Sequence, residues 1–247
     1  MKILVSITTY YPDKQKYVQR LLNEYNKIAK TMGIQIDILL AQHYDEAFDF
    51  GQLTRVPKFS LQYTGENFFW ENRKDILEKF KNYDYVIESD DDLLVTQETI
   101  EYFLEYDRLL PSTHIIGFMT MEKDENETPY IQNIHAKYSP YTKGRFLWND
   151  HSFLLPTNVH SACFMIDQKR LGQLVANQQL STQPISLHGY NLPCTARCDI
   201  YFHFTKVVEF NDDRCLIHHL TNRYLSLDNE TFPRSGYKTV AEWRSVI

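Results

Sequence analysis

The sequence predicts an α/β fold with a mostly parallel central sheet, helices on both of its faces and a small antiparallel excursion. Apolar strand-like segments alternate with helical ones in the first half of the chain, which is typical of a parallel sheet. The alternation stops in a polar stretch at 122–162 that has only short strand candidates. No repeat or linker interrupts the chain, so we expect one domain, with residues 1–121 as one half and residues 122–247 as the other.

The first strand, helix and strand are the clearest elements. Residues 2–9 (KILVSITT) are apolar and β-rich, and residues 13–32 carry apolar side chains at helical spacing. Gly33 follows the last periodic residue, as a helix C-cap does. Residues 34–42 (IQIDILLAQ) are therefore the second predicted strand.

The next elements continue the alternation. A short strand is expected at 58–63, a helix at about 68–82 and a strand at 83–89 (YDYVIES). Another helix should begin near Thr96, which can cap it, and a strand at 113–120 (THIIGFMT) follows. Ligands bind beyond the carboxyl ends of such strands, so the ends of the first strand and of YDYVIES are expected to face one crevice.

Regular structure returns after the polar stretch. Within that stretch PYIQNIHAKY (129–138) and HSFLLP (151–156) are strand candidates. A strand and a helix are expected in 161–179 (SACFMIDQKRLGQLVANQQ), then a helix at 196–206 and a strand at 214–220 (RCLIHHL).

Composition excludes several classes of protein. The chain has 247 residues, is 43% hydrophobic and carries a formal net charge of -6, with its basic residues scattered. A nucleic-acid partner is therefore not expected. No apolar run approaches the roughly 18 residues of a membrane span. The N-terminus reads as a strand, not a signal peptide, so a cytoplasmic setting is expected.

The four cysteines do not form a recognisable framework. Cys163, Cys194, Cys198 and Cys215 are too few and too irregularly spaced for a disulfide scaffold, so we expect them to be reduced. Cys194 and Cys198 lack a second Cys/His pair at zinc-ligand spacing, so a zinc site is not expected.

The stretch YDYVIESDDDLLV (83–95) carries the main chemical signal. Three successive carboxylates, Asp90, Asp91 and Asp92, end an otherwise apolar strand. Partly desolvated like charges disfavour ionisation unless a cation or hydrogen-bond donors compensate them. A hard divalent ion such as Mg²⁺ or Mn²⁺ meets that need and keeps positions for substrate phosphate oxygens. The alternative is an acidic cap of the next helix that lies in solvent.

A strand that ends in D-x-D within a Rossmann-like alternation resembles the GT-A fold glycosyltransferases, whose D-x-D acids bind the metal–diphosphate of a nucleotide-sugar. Four other stretches resemble the family and follow its order: WENRKDIL (70–77), HSACFMIDQKRL (160–171), ARCDIYFHF (196–204) and DDRCLIHHLTNRY (212–224). Ser161 and Ala162 stand where many members have glycine.

The resemblance implies a Mn²⁺ or Mg²⁺ site. Asp92 would hold the cation, Asp90 would support it directly or through water, and His218 or His219 would add a second protein ligand. Successive strand residues point to opposite faces, so at most one of the two histidines is a ligand, and which one stays open.

The resemblance also implies a nucleotide-sugar site in the first half of the chain. Thr8, Thr9 and Tyr10, together with Asp90 and Asp91, would lie around the base and ribose of the donor. UDP is the expected nucleotide.

Three basic residues are candidates for contact with the diphosphate. Arg73 would pair with it through its forked donors, or it is an exposed helix charge offset by Glu71 or Asp75. Arg223 and Lys238 would belong to a C-terminal segment that closes over the diphosphate, or they are ordinary surface charges.

Acceptor contacts are expected in the second half of the chain. Asp199 would remove the acceptor proton in an inverting reaction, the weakly preferred outcome, and Cys198 occupies the preceding acidic position of the family's pair. A helix-capping or acceptor-binding acid is the alternative, and a retaining reaction requires no such base. The stretch 148–151 (WNDH) would contact a glycan hydroxyl acceptor, or Trp148 is a core residue.

The sequence therefore predicts a metal-dependent glycosyltransferase with a nucleotide-sugar donor and a glycan acceptor. One alternative is a nucleotidyltransferase of sugar phosphates. Such enzymes usually show a glycine-rich phosphate loop near the first strand, and SITTYYPDKQK (6–16) contains no glycine. The other alternative is a non-catalytic carbohydrate-binding protein, in which the acids would be a solvated cap.

Overall fold

The structure is a computed structural model that describes most of the chain. The described residues are 1–9, 12–42, 58–62, 68–131, 142–156, 162–180, 182, 200–221 and 238–246.

Thirteen strands and six α-helices lie in these ranges. The strands are β1 (Lys2–Thr9), β2 (Gln35–Gln42), β3 (Phe59–Gln62), β4 (Tyr85–Asp90), β5 (Leu93–Leu94), β6 (His114–Ile116), β7 (Met119–Lys123), β8 (Pro129–Ile131), β9 (Thr142–Trp148), β10 (His151–Pro156), β11 (Cys163–Asp167), β12 (Thr205–Val207) and β13 (Leu216–His219). The helices are α1 (Gln15–Met32), α2 (Phe68–Lys79), α3 (Gln97–Asp107), α4 (Gln168–Ala176), α5 (Ile200–His203) and α6 (Val240–Val246). Among the described helices, none is both long and apolar enough to cross a bilayer.

Most elements match the sequence-based expectations, but the helix expected at 196–206 ends at His203 and is followed by strand β12. Gly33 ends α1 in the left-handed conformation (φ 63°), and its N–H donates to the Ala29 carbonyl, as a C-cap requires. The expected strand at 113–120 is instead two strands, β6 and β7, separated at Gly117. A Cβ at Gly117 would overlap the buried Lys206 side chain, so only glycine permits this close approach.

The chain forms two compact units, each built from two segments. The first unit contains Met1–Gln97 and Ala162–His203, and the second contains Glu98–Ser161 and Phe204–Ile247. The expected halves at 1–121 and 122–247 stay a prediction, because compactness alone does not show which segments bind a ligand.

The first unit contains a five-stranded sheet in the order β11-β4-β1-β2-β3. The pairs β1–β2, β1–β4 and β2–β3 are parallel, and β11 runs antiparallel to β4. In β1 and β2 every residue after the first is buried, so both faces of these strands are covered. The predicted Rossmann-like α/β class is confirmed.

Helices α1 and α2 cover opposite faces of this sheet. Asn72 of α2 donates hydrogen bonds to Ser6 and Thr8, which share one face of β1 (3.0 and 3.4 Å). Tyr25 of α1 is fully buried near Cys163 of β11, on the other face. The pKa of Tyr25 is raised well above its ordinary value, mainly by burial and further by the Cys163 thiol.

The second unit contains smaller pieces of sheet. Strands β13 and β7 are parallel and β8 pairs antiparallel with β7, while β12 pairs parallel with β6. Strands β9 and β10 form an antiparallel hairpin. These antiparallel pairs confirm the predicted excursion. The sequence analysis identified β10 but missed β9.

Candidate functional site

In the sheet of the first unit, the order in which the chain adds strands reverses between β1 and β4. The chain proceeds outward from β1 to β2 and β3 and then crosses to β4 on the other side of β1. In open α/β sheets, ligands bind in the crevice beyond the carboxyl ends of the strands at such a switch point. The residues that end β1 and β4 therefore define the candidate site.

Parallel register brings the two strand ends side by side. Thr8 of β1 is the direct partner of Asp90 of β4, and Thr9 is the last residue of β1. Both threonines are buried, and Thr9 Oγ1 has no hydrogen-bond partner among the described residues. The two strand ends are therefore neighbours, and the crevice that they are expected to face stays a prediction.

The three aspartates differ in exposure. Asp90 is half-buried, whereas Asp91 and Asp92, counted over the whole residue, are only 6% and 7% exposed. The Asp90 N–H donates to the carbonyl of Ala162 (3.1 Å), which ties the end of β4 to the residue before β11. Burial of this extent differs from the solvated helix cap that the sequence left open, and it requires compensation of the acidic charge.

Lys14 supplies part of that compensation. Its Nζ donates to Asp92 Oδ2 at 2.8 Å, and the two side chains are 19% and 11% exposed. Burial lowers the pKa of Lys14, but the hydrogen bond to Asp92 and the charges of Asp92 and Asp91 outweigh burial and leave the pKa raised. The ammonium is therefore charged at neutral pH and lies within the field of two of the three acids.

A layer of buried polar side chains lies along β1 and β4 on the face that α2 covers. Asn72 bonds Ser6 and Thr8, and its own Oδ1 is buried with no donor among the described residues. Arg73, the next residue, lies 3.8 Å from Glu88 of β4, and both side chains are 3% exposed. This layer connects α2 to the two strands that end at the site.

The cavity beside Arg73 and Glu88 is too small for a substrate. Its volume is about 10 Å³, and apolar side chains such as Ile76 and Phe164 form most of its lining. A cavity of that size holds one water molecule at most. Arg73 is thus a buried residue of α2 and not an exposed helix charge, and its contact with a diphosphate stays a prediction.

Several predicted site residues fall outside the described ranges. These are Tyr10, Asp199 and Arg223, together with Cys194, Cys198 and Ser161. Their roles stay predictions. Of the cysteines that are described, Cys163 and Cys215 are buried free thiols.

His218 and His219 belong to the second unit, at the end of β13. The Nδ1 atom of His219 lies 2.6 Å from Oε1 of Glu122, which is fully buried, and Thr221 Oγ1 lies 2.9 Å from His219 Nε2. A carboxylate that holds one imidazole nitrogen is a common way to orient a histidine ligand. It is equally a way to satisfy a buried glutamate.

The expected acceptor residues lie on the β9–β10 hairpin of the second unit. Asn149 and Asp150 form its two-residue turn with φ of 48° and 64°, which matches a type I′ turn. Trp148 is 39% exposed, and its Nε1–H donates to the Leu109 carbonyl (2.8 Å). Its ring is nearly parallel to that of Phe146 (11°). Trp148 is therefore a partly exposed, fixed aromatic ring and not a core residue.

The donor chemistry of the first unit fits a divalent cation. Asp90 and Asp92 offer the hard carboxylate oxygens that Mg²⁺ and Mn²⁺ prefer, and one of these oxygens already holds a cation in the form of the Lys14 ammonium. Within the described ranges, three His, Cys, Asp or Glu side chains do not converge on one point, so these residues alone offer at most part of a ligand set. A partial set suits Mg²⁺, which keeps waters and substrate phosphate oxygens as ligands.

Sequence reasoning missed Lys14, Asn72 and Glu88. Lys14 had a weak signal, because it is a basic residue at the start of the first predicted helix, beyond the carboxyl end of the first predicted strand. Asn72 lies in WENRKDIL, the stretch that carries part of the resemblance, but Arg73 alone was selected from it. Glu88 had no signal, since strand order brings its partner Arg73 to it.

No family model matches the chain, and no curated protein matches it. Among solved structures, a glycosyltransferase involved in the glycosylation of the major capsid of PBCV-1 is 9% identical, with 91% of this chain and 99% of that chain covered and a TM-score of 0.40. A mutant of Drosophila β1,4-galactosyltransferase 7 in complex with manganese, UDP-Gal and xylobiose is 11% identical, with 91% and 73% covered and a TM-score of 0.41.

A synthase has a similar TM-score. The 4-diphosphocytidyl-2C-methyl-D-erythritol synthase of Anaerococcus prevotii is 10% identical, with 90% of each chain covered and a TM-score of 0.42. The structural neighbours thus include glycosyltransferases and this synthase.

Proposed function

We propose that this chain is a GT-A type glycosyltransferase that transfers a sugar from a nucleoside diphosphate, with UDP as the nucleotide, to a hydroxyl of a glycan. The observation that carries the proposal is the position of Asp90, Asp91 and Asp92 at the switch point of the parallel sheet, beside Thr8. Buried acids at a ligand-binding edge suit a substrate that arrives with a divalent cation, because the cation offsets both the acids and the diphosphate.

Each residue of the first unit has a stated part in this proposal. Asp92 and Asp90 would hold Mn²⁺ or Mg²⁺, which, when bound, would stabilise the charge on the departing diphosphate. Thr8 and Thr9, with Tyr10 and Asp91, would lie next to the nucleoside. The buried Thr9 hydroxyl has no partner among the described residues, which supports this part, because a ligand group at the end of β1 would satisfy it.

The remaining expected residues complete the proposal. Either His218 or His219 would add a metal ligand, and which of the two does so stays open. Asp199 would take the proton of the acceptor hydroxyl in an inverting reaction. Arg73 would pair with the diphosphate through its guanidinium, and Trp148 would pack against the acceptor sugar.

Calorimetric titration with UDP, in the presence and absence of Mn²⁺, tests the proposal. The expected result is binding that depends on Mn²⁺, followed by slow Mn²⁺-dependent hydrolysis of one UDP-sugar in a screen. Release of pyrophosphate from UTP and a sugar phosphate would point instead to a nucleotidyltransferase. Binding of glycans without any binding of nucleotide would point to a carbohydrate-binding protein.

A further inference from the structure

We propose that the ammonium of Lys14 holds the Asp92 carboxylate in the absence of donor, that a divalent cation displaces it, and that the displaced ammonium then binds the diphosphate. This inference rests on the proposed function. It assigns to Lys14 the role of a donor-binding residue that also weakens cation binding when no nucleotide is present.

The first step concerns where Lys14 lies without a ligand. Its Nζ is 2.8 Å from Asp92 Oδ2, and its charge also interacts with Asp91. The ammonium additionally lies over the ring of Tyr17, 5.4 Å from the ring centroid. Both members of the ion pair are mostly buried, so their attraction is screened less than that of a surface pair.

The second step concerns competition. A divalent cation on the Asp92 carboxylate would bring two positive charges to within a few ångströms of the Lys14 ammonium. Like charges at that separation repel strongly where burial lowers the dielectric constant. In this proposal, cation binding breaks the ion pair of Lys14 with Asp92, so the free energy of that pair is subtracted from the affinity for the cation.

The third step concerns the diphosphate. Lys14 ends the turn Pro12–Lys14 and precedes α1, just beyond the carboxyl end of β1 where the switch point lies. Lysine has a flexible stem of four carbons, so its ammonium can leave Asp92 without movement of the backbone. A diphosphate at the switch point offers it a new anionic partner, and the positive N-terminal end of α1 favours anions in the same place. Bound nucleotide therefore compensates for the free energy that is lost when the ion pair of Lys14 with Asp92 breaks.

Two titrations of the full chain test the proposal, one with Mn²⁺ alone and one with UDP in saturating Mn²⁺. In Lys14→Met, which keeps most of the stem and removes the charge, we expect Mn²⁺ alone to bind roughly tenfold more tightly and UDP with Mn²⁺ to bind roughly tenfold more weakly. Lys16→Met is the matched control. Lys16 is exposed on α1, and its Nζ also lies over the Tyr17 ring, at 4.8 Å. Both affinities should be unchanged in this variant.

A second neutral variant shows whether the effects of Lys14→Met come from loss of the charge or from loss of the fold. Lys14→Gln keeps a hydrogen-bond donor for the buried Asp92 carboxylate, and it should show both shifts, with circular dichroism to confirm the fold. If UDP binds with Mn²⁺ but neither neutral variant shifts the two affinities in opposite directions, the role of Lys14 is overturned and the proposed function stands. If UDP does not bind the unmodified chain at all, both proposals fail.

Discussion

Thr8 lies directly opposite Asp90 in the parallel register of β1 and β4, although 82 positions separate them in the chain. This pair marks the switch point of the sheet, and it places the hydroxyls that end β1 beside the acids that end β4. The buried negative charge of those acids needs a compensating cation, and Lys14 supplies only part of it. This need is the physical basis of the proposed function.

Removal of the Asp92 charge should abolish metal-dependent chemistry. In Asp92→Asn we expect turnover of the UDP-sugar to fall by at least about 100-fold, because loss of a ligand should cost more than loss of an outer partner of a metal site. The side-chain volume hardly changes, so the fold should persist. Asp84→Asn is the control, since Asp84 lies just before β4, at the opposite end of that strand. Full activity of the Asp92 variant would contradict the assignment.

Replacement of Ala162 by glycine should relieve strain in the backbone at this position. Ala162 has φ of 48°, a conformation that costs a residue with a Cβ roughly 1 kcal/mol or more. In Ala162→Gly we expect the free energy of unfolding in urea to rise by about 1 kcal/mol. In Ala176→Gly, at the end of α4, it should fall by about 0.5–1 kcal/mol. A fall in both variants would show that Ala162 is not strained.

The buried pair of Arg73 and Glu88 should be sensitive to removal of one partner. Arg73→Met takes the cation from beside a buried carboxylate, so we expect a loss of about 3–5 kcal/mol in the free energy of unfolding. The double variant Arg73→Met with Glu88→Gln should recover part of that loss, because no buried charge remains. A double variant at least as unstable as the single one would contradict this account.

The hydrogen bonds of Asp37 should make stability depend on pH. Burial raises the pKa of Asp37, but hydrogen bonds from Lys58, Tyr83 and Gln35 outweigh burial and leave it below the ordinary 3.8. The stabilisation is therefore present above the unfolded-state pKa and is lost as pH falls through the lower folded-state pKa.

The corresponding variant is Asp37→Asn. At pH 7 we expect it to lose about 1.5–3 kcal/mol of unfolding free energy, the range for hydrogen bonds to a charged group. Urea denaturation at pH 7 and near pH 3 should show the difference from the unmodified chain shrinking at the lower pH. The exposed Asp13→Asn variant should match the unmodified chain at both. A constant difference would exclude titration of Asp37 as the cause.

Loss of the Trp148 ring should weaken binding of the glycan acceptor and leave binding of UDP unchanged. In Trp148→Ala we expect the KM for the glycan acceptor to rise roughly tenfold, about 1.4 kcal/mol, with UDP affinity unchanged. Leu147→Ala is the control, because Leu147 is 74% exposed and points to the other face of β9. Equal effects of both changes would indicate general disturbance of the hairpin.

Local patterns in the sequence were enough to predict most of the individual elements. Helix α1 and its Gly33 cap follow from apolar side chains at helical spacing, because a helix has to bury one stripe. Strand β9 was missed although WNDH contains a two-residue turn that favours a hairpin. The split at Gly117 was missed because its cause is Lys206, 89 positions further on.

By itself, the sequence determined the α/β class and the presence of an acidic strand end, since both depend on the period and charge of neighbouring residues. Only the tertiary structure decided that Thr8 faces Asp90, that Lys14 holds Asp92, and that Arg73 is buried against Glu88. Those relationships depend on strand order and on contacts between distant segments. They form only when the sheet assembles and burial selects which charges come together.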